Sequence, residues 1–235
     1  MQAHVKGAIM AFITIENVHM HWDSLDISFS TQVQKGEMLV ITGPSGSGKS
    51  TILRMIAGLL PAGDGATVFV NGANVTDAAP GRRSLGMAFQ SPALFQHMNV
   101  VDNASYALVS AGMSRREARA KASEWLEKFG LSGFEKRMPD SLSGGEAQRV
   151  SLVRTLIAEP SLVLFDEPFS ALDAPLRKKL GAEIRQKQKE LGFAGIMVTH
   201  DIEEAKALGD VIVVLKNGRE TWRGGAAQFG EELLK

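Results

Sequence analysis

The sequence predicts an α/β fold: a core built on a mostly parallel sheet, with an N-terminal antiparallel β part and an inserted helical subdomain. Three observations carry that prediction. Short apolar runs at Met38–Ile41, Ser161–Phe165 and Ala194–Thr199 read as buried strands, with helical stretches between them. Ahead of the first run, alternating residues read as half-buried strands. Residues 91–160 hold helix signals and no convincing strand, and so form the insertion.

In chain order, residues 1–11 are a leader read as a disordered arm, with Met10 as an alternative start. Ile13–Val18 alternates like a half-buried strand, and Leu25, Ile27 and Phe29 mark another. Between them Trp22 sits in a polar turn, flanked by His21 and Asp23. A tryptophan so placed stacks on an adenine ring or seals the rim of the first sheet. Gln34–Glu37 turns the chain into the strand Met38–Ile41.

Gly43-Pro44-Ser45-Gly46-Ser47-Gly48-Lys49-Ser50-Thr51 comes next, followed by the apolar helical run Ile52–Leu60. Strand, glycine-rich loop and a helix opening on Gly-Lys-Ser is the context of a phosphate-binding loop, which makes the core a P-loop NTPase core. Glycines let backbone N–H groups curl around an anion, and the helix N-terminus adds unpaired donors and a positive dipole end. Lys49 then reaches the β- and γ-phosphates of a nucleotide, and the Ser50 hydroxyl ligates Mg²⁺.

Pro61–Gly65 is a loop, Thr67–Val70 a strand turning at Asn71-Gly72, and Ser84–Phe89 a buried strand ending at Gln90. Val100–Ser110 reads as helix. Ser114–Glu117 is a capping box opening a helix that Gly130 ends. The last helix of the insertion begins after Leu142-Ser143-Gly144-Gly145-Glu146 and stops before Pro160. Its Ser-Gly-Gly start is either an ordinary cap or a second anion site.

The strand after Ser161 ends in Asp166-Glu167, which places two carboxylates at the carboxyl edge of the sheet, where open α/β sheets bind ligands. There Asp166 holds Mg²⁺ through its water shell, and Glu167 orients and deprotonates an attacking water. Pro175 opens a long charged helix ending near Gly192. Ala194–Thr199 delivers His200, which donates to a γ-phosphate or serves the structure. Asp201–Ala207 is a short helix, Val211–Leu215 a last core strand, and Asn217-Gly218 turns into Glu220–Trp222. The tail reads as a short amphipathic helix.

Bulk properties exclude several classes. Of 235 residues, 26 are Lys or Arg and 26 Asp or Glu, so no net field steers nucleic acid or anionic lipid. The absence of cysteine excludes disulfides and thiolate metal sites. No apolar run is long enough to span a bilayer, and the leader makes a poor signal peptide, so a soluble cytoplasmic protein is expected.

Together these residues resemble the ATP-binding cassette ATPases over essentially the whole chain. The phosphate loop, Gln90 as the glutamine loop, Leu142–Glu146 as the signature, Asp166-Glu167, Ser170-Ala171-Leu172-Asp173 and His200 as the switch histidine occur in the family's order. The resemblance implies ATP and Mg²⁺ as ligands, with Gln90 joining Ser50 and Asp166 at the metal and Trp22 on adenine. Lys49, Glu167 and His200 would act in catalysis. It also implies a head-to-tail dimer, in which Ser143, Gly144, Gly145 and Glu146 act on the partner's ATP. One position departs from the pattern: Glu146 stands where the signature usually has glutamine.

Phe89–Val100 and Glu167–Asp173 look like the ATPase subunits of bacterial importers for thiamine, ferric iron, polyamines or sulfate. Such subunits are peripheral on the cytoplasmic face of the inner membrane, bound to transmembrane permease subunits and served indirectly by a solute-binding protein. Ala93, Leu94, Phe95 and Met98 are the candidates for permease docking. The shortness of the chain, which leaves no room for a C-terminal regulatory domain, leans toward a thiamine-type importer. A soluble cassette acting on ribosomes or DNA, or an exporter ATPase, is the alternative, and no basic patch supports nucleic acid as a partner.

Overall fold

The computed structural model describes residues 11–22, 24–170 and 172–234. Most of the leader, Asp23 beside Trp22, and Ala171 of the Ser170–Asp173 loop lie outside the described residues.

The first layer is a four-stranded antiparallel sheet ordered β2-β1-β4-β5. Its strands are β1 (Ile13–Trp22), β2 (Leu25–Val33), β4 (Thr67–Val70) and β5 (Ala73–Asn74). Asn71 and Gly72 are both left-handed (φ 49 and 78), the geometry that a two-residue hairpin turn requires. β1 runs further than Ile13–Val18, because a bulge between Ile15 and Val18 resets its alternation. Asn17 (φ 54) occupies the bulge and donates its N–H to Ser30 Oγ at 2.9 Å. Trp22 is therefore the last residue of a strand, paired with Leu25, and not part of a turn.

The second sheet has six strands ordered β10-β9-β3-β8-β7-β6. They are β3 (Met38–Thr42), β6 (Leu85–Ala88), β7 (Leu162–Asp166), β8 (Ala194–Val198), β9 (Val211–Lys216) and β10 (Arg219–Gly224). All neighbours are parallel except β9 and β10. β3, β7 and β8 are buried along their whole length, so alternate side chains enter two different cores. Met38, Val40, Val163, Phe165 and Met197 face one core, shared with α2 (Val100–Ser110), α3 (Arg115–Lys128), α4 (Gly144–Leu156), α5 (Ala174–Leu191) and α6 (Ile202–Leu208). Leu39, Ile41, Leu162, Leu164 and Ile196 face the other. That second core is filled by Ile52, Leu53, Met55 and Ile56 of α1 (Lys49–Ala57) and by the inner face of the antiparallel sheet.

Further element ends and caps differ from the sequence reading. α1 stops at Ala57 instead of Leu60, because Gly58 (φ 74) turns the chain. Buried Arg83 donates there to Ile56 O at 2.8 Å. At α3, Ser114 Oγ accepts the Glu117 N–H, but the Glu117 carboxylate bonds the Ser114 hydroxyl and not its N–H, so the box is half made. α4 starts at Gly144, inside the Ser-Gly-Gly stretch, with Ser143 as its cap. The tail forms two short 3-10 turns, Ala226–Gln228 and Glu231–Leu234, with Gly225 and Gly230 ahead of them interrupting a longer helix.

Candidate functional site

β3, β8, β7 and β6 are neighbours in that order, so their carboxyl ends form one edge. The phosphate loop, His200, Asp166-Glu167 and Gln90 leave from that edge. Gly43 (φ 145) lies so close to β9 that a Cβ would sit 2.0 Å from Leu215 O, and only glycine fits. Gly46 and Gly48 are also left-handed, which curls the loop. Gly48 caps α1 without a side-chain bond, so the first-turn N–H groups receive no side-chain acceptor from the cap. Pro44, Ser45 and Gly46 are exposed, Ser47 is buried, and Thr51 is half-buried within α1.

Lys49 folds back over this loop and donates Nζ to Gly43 O at 2.9 Å and Pro44 O at 2.8 Å. Burial lowers its pKa, and the nearby Glu167 and Asp166 carboxylates pull it back up. Ser50 Oγ donates to Asp166 Oδ1 at 2.6 Å. Among the described residues no group of three or more His, Asp or Glu is placed to hold a metal ion, so the donor pair here is one hydroxyl and one carboxylate.

Glu167 continues β7 in a left-handed conformation (φ 45), an uncommon state for a side chain of this size. Its N–H donates to Val198 O at 3.0 Å, and its carbonyl accepts from Ser170 N and Oγ. The turn brings its carboxylate to two other candidates. Gln90 Nε2 donates to Oε2 at 3.3 Å, and His200 Nδ1 lies 3.2 Å from the same oxygen.

Residues 27–170 match the family model described as ABC transporter, more than half of the chain. This chain belongs to the ABC transporter family. The Fe(3+) ions import ATP-binding protein FbpC of Rhizobium etli is 42% identical over 234 residues, covering 94% of this chain and 65% of that protein. Its counterpart FbpC 1 of Rhizobium meliloti is 46% identical over 195 residues, covering 83% of this chain and 55% of that protein. The chain thus spans 55 to 65% of the length of these relatives. A dimeric ATP-binding cassette in a post-hydrolysis state, bound to ADP and Pi, matches with a TM-score of 0.81 at 29% identity, over 92% of this chain and 100% of that one. The fold is that of an ABC ATPase.

Within this ABC fold Ser143–Glu146 form the start of α4. No hydrogen bond or ion pair among the described residues joins Ser143–Glu146 to the phosphate loop. Ser143 and Glu146 form a full capping box: Ser143 N–H donates to Glu146 Oε2 at 2.7 Å and Glu146 N–H to Ser143 Oγ at 3.3 Å. Hydrogen bonds from Ser143 hold the Glu146 carboxyl below its usual pKa. Gly144 and Gly145 N–H are left without a cap acceptor. Trp22 is 56% exposed at the tip of the first sheet.

The docking candidates divide. Leu94 is buried in the core beside α2 and α4, so it is scaffold and not surface. Ala93 is exposed, while Phe95 and Met98 are half-buried. Phe95 packs against Tyr106, itself 42% exposed, with ring centroids 4.7 Å apart. Two residues outside the sequence reading hold this loop. Asn103, fully buried, accepts Phe95 N–H and donates to Phe95, Met98 and Asn99 carbonyls. Arg154 donates to Pro92 and Ala93 carbonyls at 3.0 Å each. A polar residue amid the apolar positions of a helix was the available signal for Asn103. Glu204 and Arg177, beside His200, were missed as well. Each looks like an ordinary helix-surface charge until the fold folds it inward.

Proposed function

We propose that this chain is the ATP-hydrolysing subunit of a bacterial importer, with Mg-ATP bound at the edge shared by β3, β8, β7 and β6. The observation that carries the reading is the meeting of Gln90, Glu167 and His200 around one carboxylate oxygen, next to the Ser50–Asp166 pair and Lys49. Gly43–Thr51 wraps the phosphates with backbone N–H groups, and Lys49 exchanges its loop carbonyls for phosphate oxygens. Ser50, Asp166 and the Gln90 amide oxygen are hard donors suited to Mg²⁺, which when bound offsets phosphate charge. Glu167 accepts the proton of the attacking water, and His200 donates to the γ-phosphate. Trp22 stacks on adenine.

Ser143, Gly144, Gly145 and Glu146 act on ATP held by a second copy in a head-to-tail dimer. The dimeric state of the ADP-bound neighbour supports this. A glutamine would accept the Ser143 N–H as Glu146 does, so the departure keeps the cap and adds a negative charge. We take residues 12–90 and 161–235 as the α/β core and 91–160 as the helical subdomain that presents the signature. Ala93, Phe95 and Met98 face transmembrane permease subunits, with Leu94 beneath them. The chain would sit peripherally on the cytoplasmic face of the membrane, with a solute-binding protein as its indirect partner. Among the described residues no helix is long and apolar enough to cross a membrane. The relatives' names favour ferric iron as the cargo over a thiamine-type solute.

The test is Glu167→Gln. It should slow hydrolysis by about 10²–10⁴-fold, the worth of a positioned general base, and trap an ATP-bound dimer visible by light scattering. A variant that turns over ATP normally would sink the assignment.

A further inference from the structure

Beside the Glu167–His200 pair is a cavity of about 30 Å³ whose lining includes Arg177, Thr199, Asp201 and Glu204 as well as that pair. Two buried polar atoms of this lining, Glu204 Oε1 and Arg177 Nε, have no protein partner. Glu204 is only 9% exposed, so its carboxylate lacks the bulk water that satisfies surface acids. An ordered water needs about 10–15 Å³ by this measure and two to four polar partners. The cavity meets both conditions.

The rest of Glu204 is tied to the backbone on either side of His200. Its Oε2 accepts the Thr199 hydroxyl at 2.7 Å, Thr199 Oγ1 accepts the Asp201 N–H at 3.0 Å, and Asp201 Oδ1 accepts the Glu204 N–H at 3.0 Å. The other Asp201 oxygen pairs with Arg177 of α5. His200 thus stands between two residues that are both anchored on Glu204, while its own ring is exposed and touches Glu167.

We infer that Glu204 is a positioning residue for His200, acting with Arg177 through ordered water held in this cavity. The inference rests on the ATPase reading above for its kinetic consequence. One water accepting from Arg177 Nε and bonded to Glu204 Oε1 completes a frame that fixes the angle of the His200 backbone. The groups facing Glu204 are Arg177 from α5, His200 and Asp201 from the turn after β8, and Glu167 from the turn after β7. Burial pushes the Glu204 carboxyl up to about 7, with Asp201 adding to the rise and Thr199, Arg177 and His200 opposing it. The water donates to this group above that pH and accepts from it below, so the frame changes near neutrality.

The full chain is compared as wild type, Glu204→Ala and Glu204→Gln. Glu204→Ala should lower kcat about 10- to 100-fold, the usual cost of a small misplacement, with KM for ATP within about twofold. Glu204→Gln keeps the Thr199 and water bonds, so it should recover most of kcat yet lose the part of the wild-type pH profile centred near 7. Crystals of the nucleotide-free protein should show density joining Glu204 Oε1 to Arg177 Nε. A dry, well-ordered cavity, an unchanged kcat in Glu204→Ala, or identical pH profiles in wild type and Glu204→Gln would each overturn the inference. If Glu204→Ala does not fold, the density and the Glu204→Gln profile decide alone. A wild-type protein without ATP turnover would remove the ATPase reading, while the cavity density would still judge the water.

Discussion

Burial moves one carboxyl of this chain, Glu204, well above the ordinary carboxylate range. Glu204 is raised to about 7 mainly by burial, whereas in the unfolded chain it titrates near 4.5. Its neutral form is therefore favoured by folding. The sign follows from linkage: the contribution is fully present below about 4.5 and is lost as pH rises through 7. Glu204→Gln carries no such group. Its stability relative to wild type should rise between pH 5 and 8, with an upper limit of about 3 kcal/mol. Urea unfolding of both proteins at three pH values measures this, and a constant difference would mean that Glu204 ionises as an ordinary acid. Glu167 is the opposite kind of residue, legible from its place after an apolar strand, although its left-handed backbone was not.

Helix starts and one braced loop carry the next scale. Ser143 caps α4 through its hydroxyl while Glu146 returns the bond, so Ser143→Ala should cost about 1 kcal/mol of stability. Glu146→Gln preserves the accepting oxygen and should change stability at neutral pH by only a few tenths of that. Because the folded-state pKa of Glu146 is lowered, its contribution is present above 4.5 and lost as pH falls through the lowered value. Glu146→Gln should flatten that acid-side loss, which thermal melts from pH 7 to 3 would show. The loop after Gln90 is braced by Asn103 and Arg154, and the half-buried Phe95 ring packs against Tyr106. Phe95→Asp should leave ATP affinity unchanged and abolish co-purification with membrane subunits; persistent co-purification would move the docking surface elsewhere. The capping signals were visible in sequence. The Arg154 brace was not, because it reaches Pro92 and Ala93 carbonyls 62 and 61 residues earlier in the chain, whereas Asn103 bonds carbonyls only four to eight residues before it.

At the scale of the whole molecule, no hydrogen bond or ion pair among the described residues joins Ser143–Glu146 to the phosphate loop, and the proposed dimer is testable without a membrane. Lys49→Ala removes the proposed phosphate cation from one copy. Gly144→Asp places a charge where the partner's phosphate would bind. A Cβ at Gly144 meets nothing within 4 Å, and aspartate suits a helix start, so this variant should fold. Each protein alone should be inactive. Mixed, they form heterodimers with one intact site, and turnover should return to about a quarter of the wild-type rate if the two sites act independently. No recovery would mean that each site is completed within its own chain.

Much of this architecture is local and was read directly. Apolar runs of strand length, glycines at left-handed turns and capping serines act through neighbours in sequence, so the sheet core, the helical stretch over 91–160 and the phosphate loop were all predictable. The β1 bulge at Asn17 escaped because one inserted residue reverses the alternation from which a strand is read. Tertiary structure alone decided which loops share an edge. Gln90, Glu167 and His200 are far apart in sequence, and their meeting follows from β6, β7 and β8 lying side by side. It also buried Leu94 and Glu204, since burial depends on what packs across from a side chain, and the chain segments doing that packing are distant in sequence.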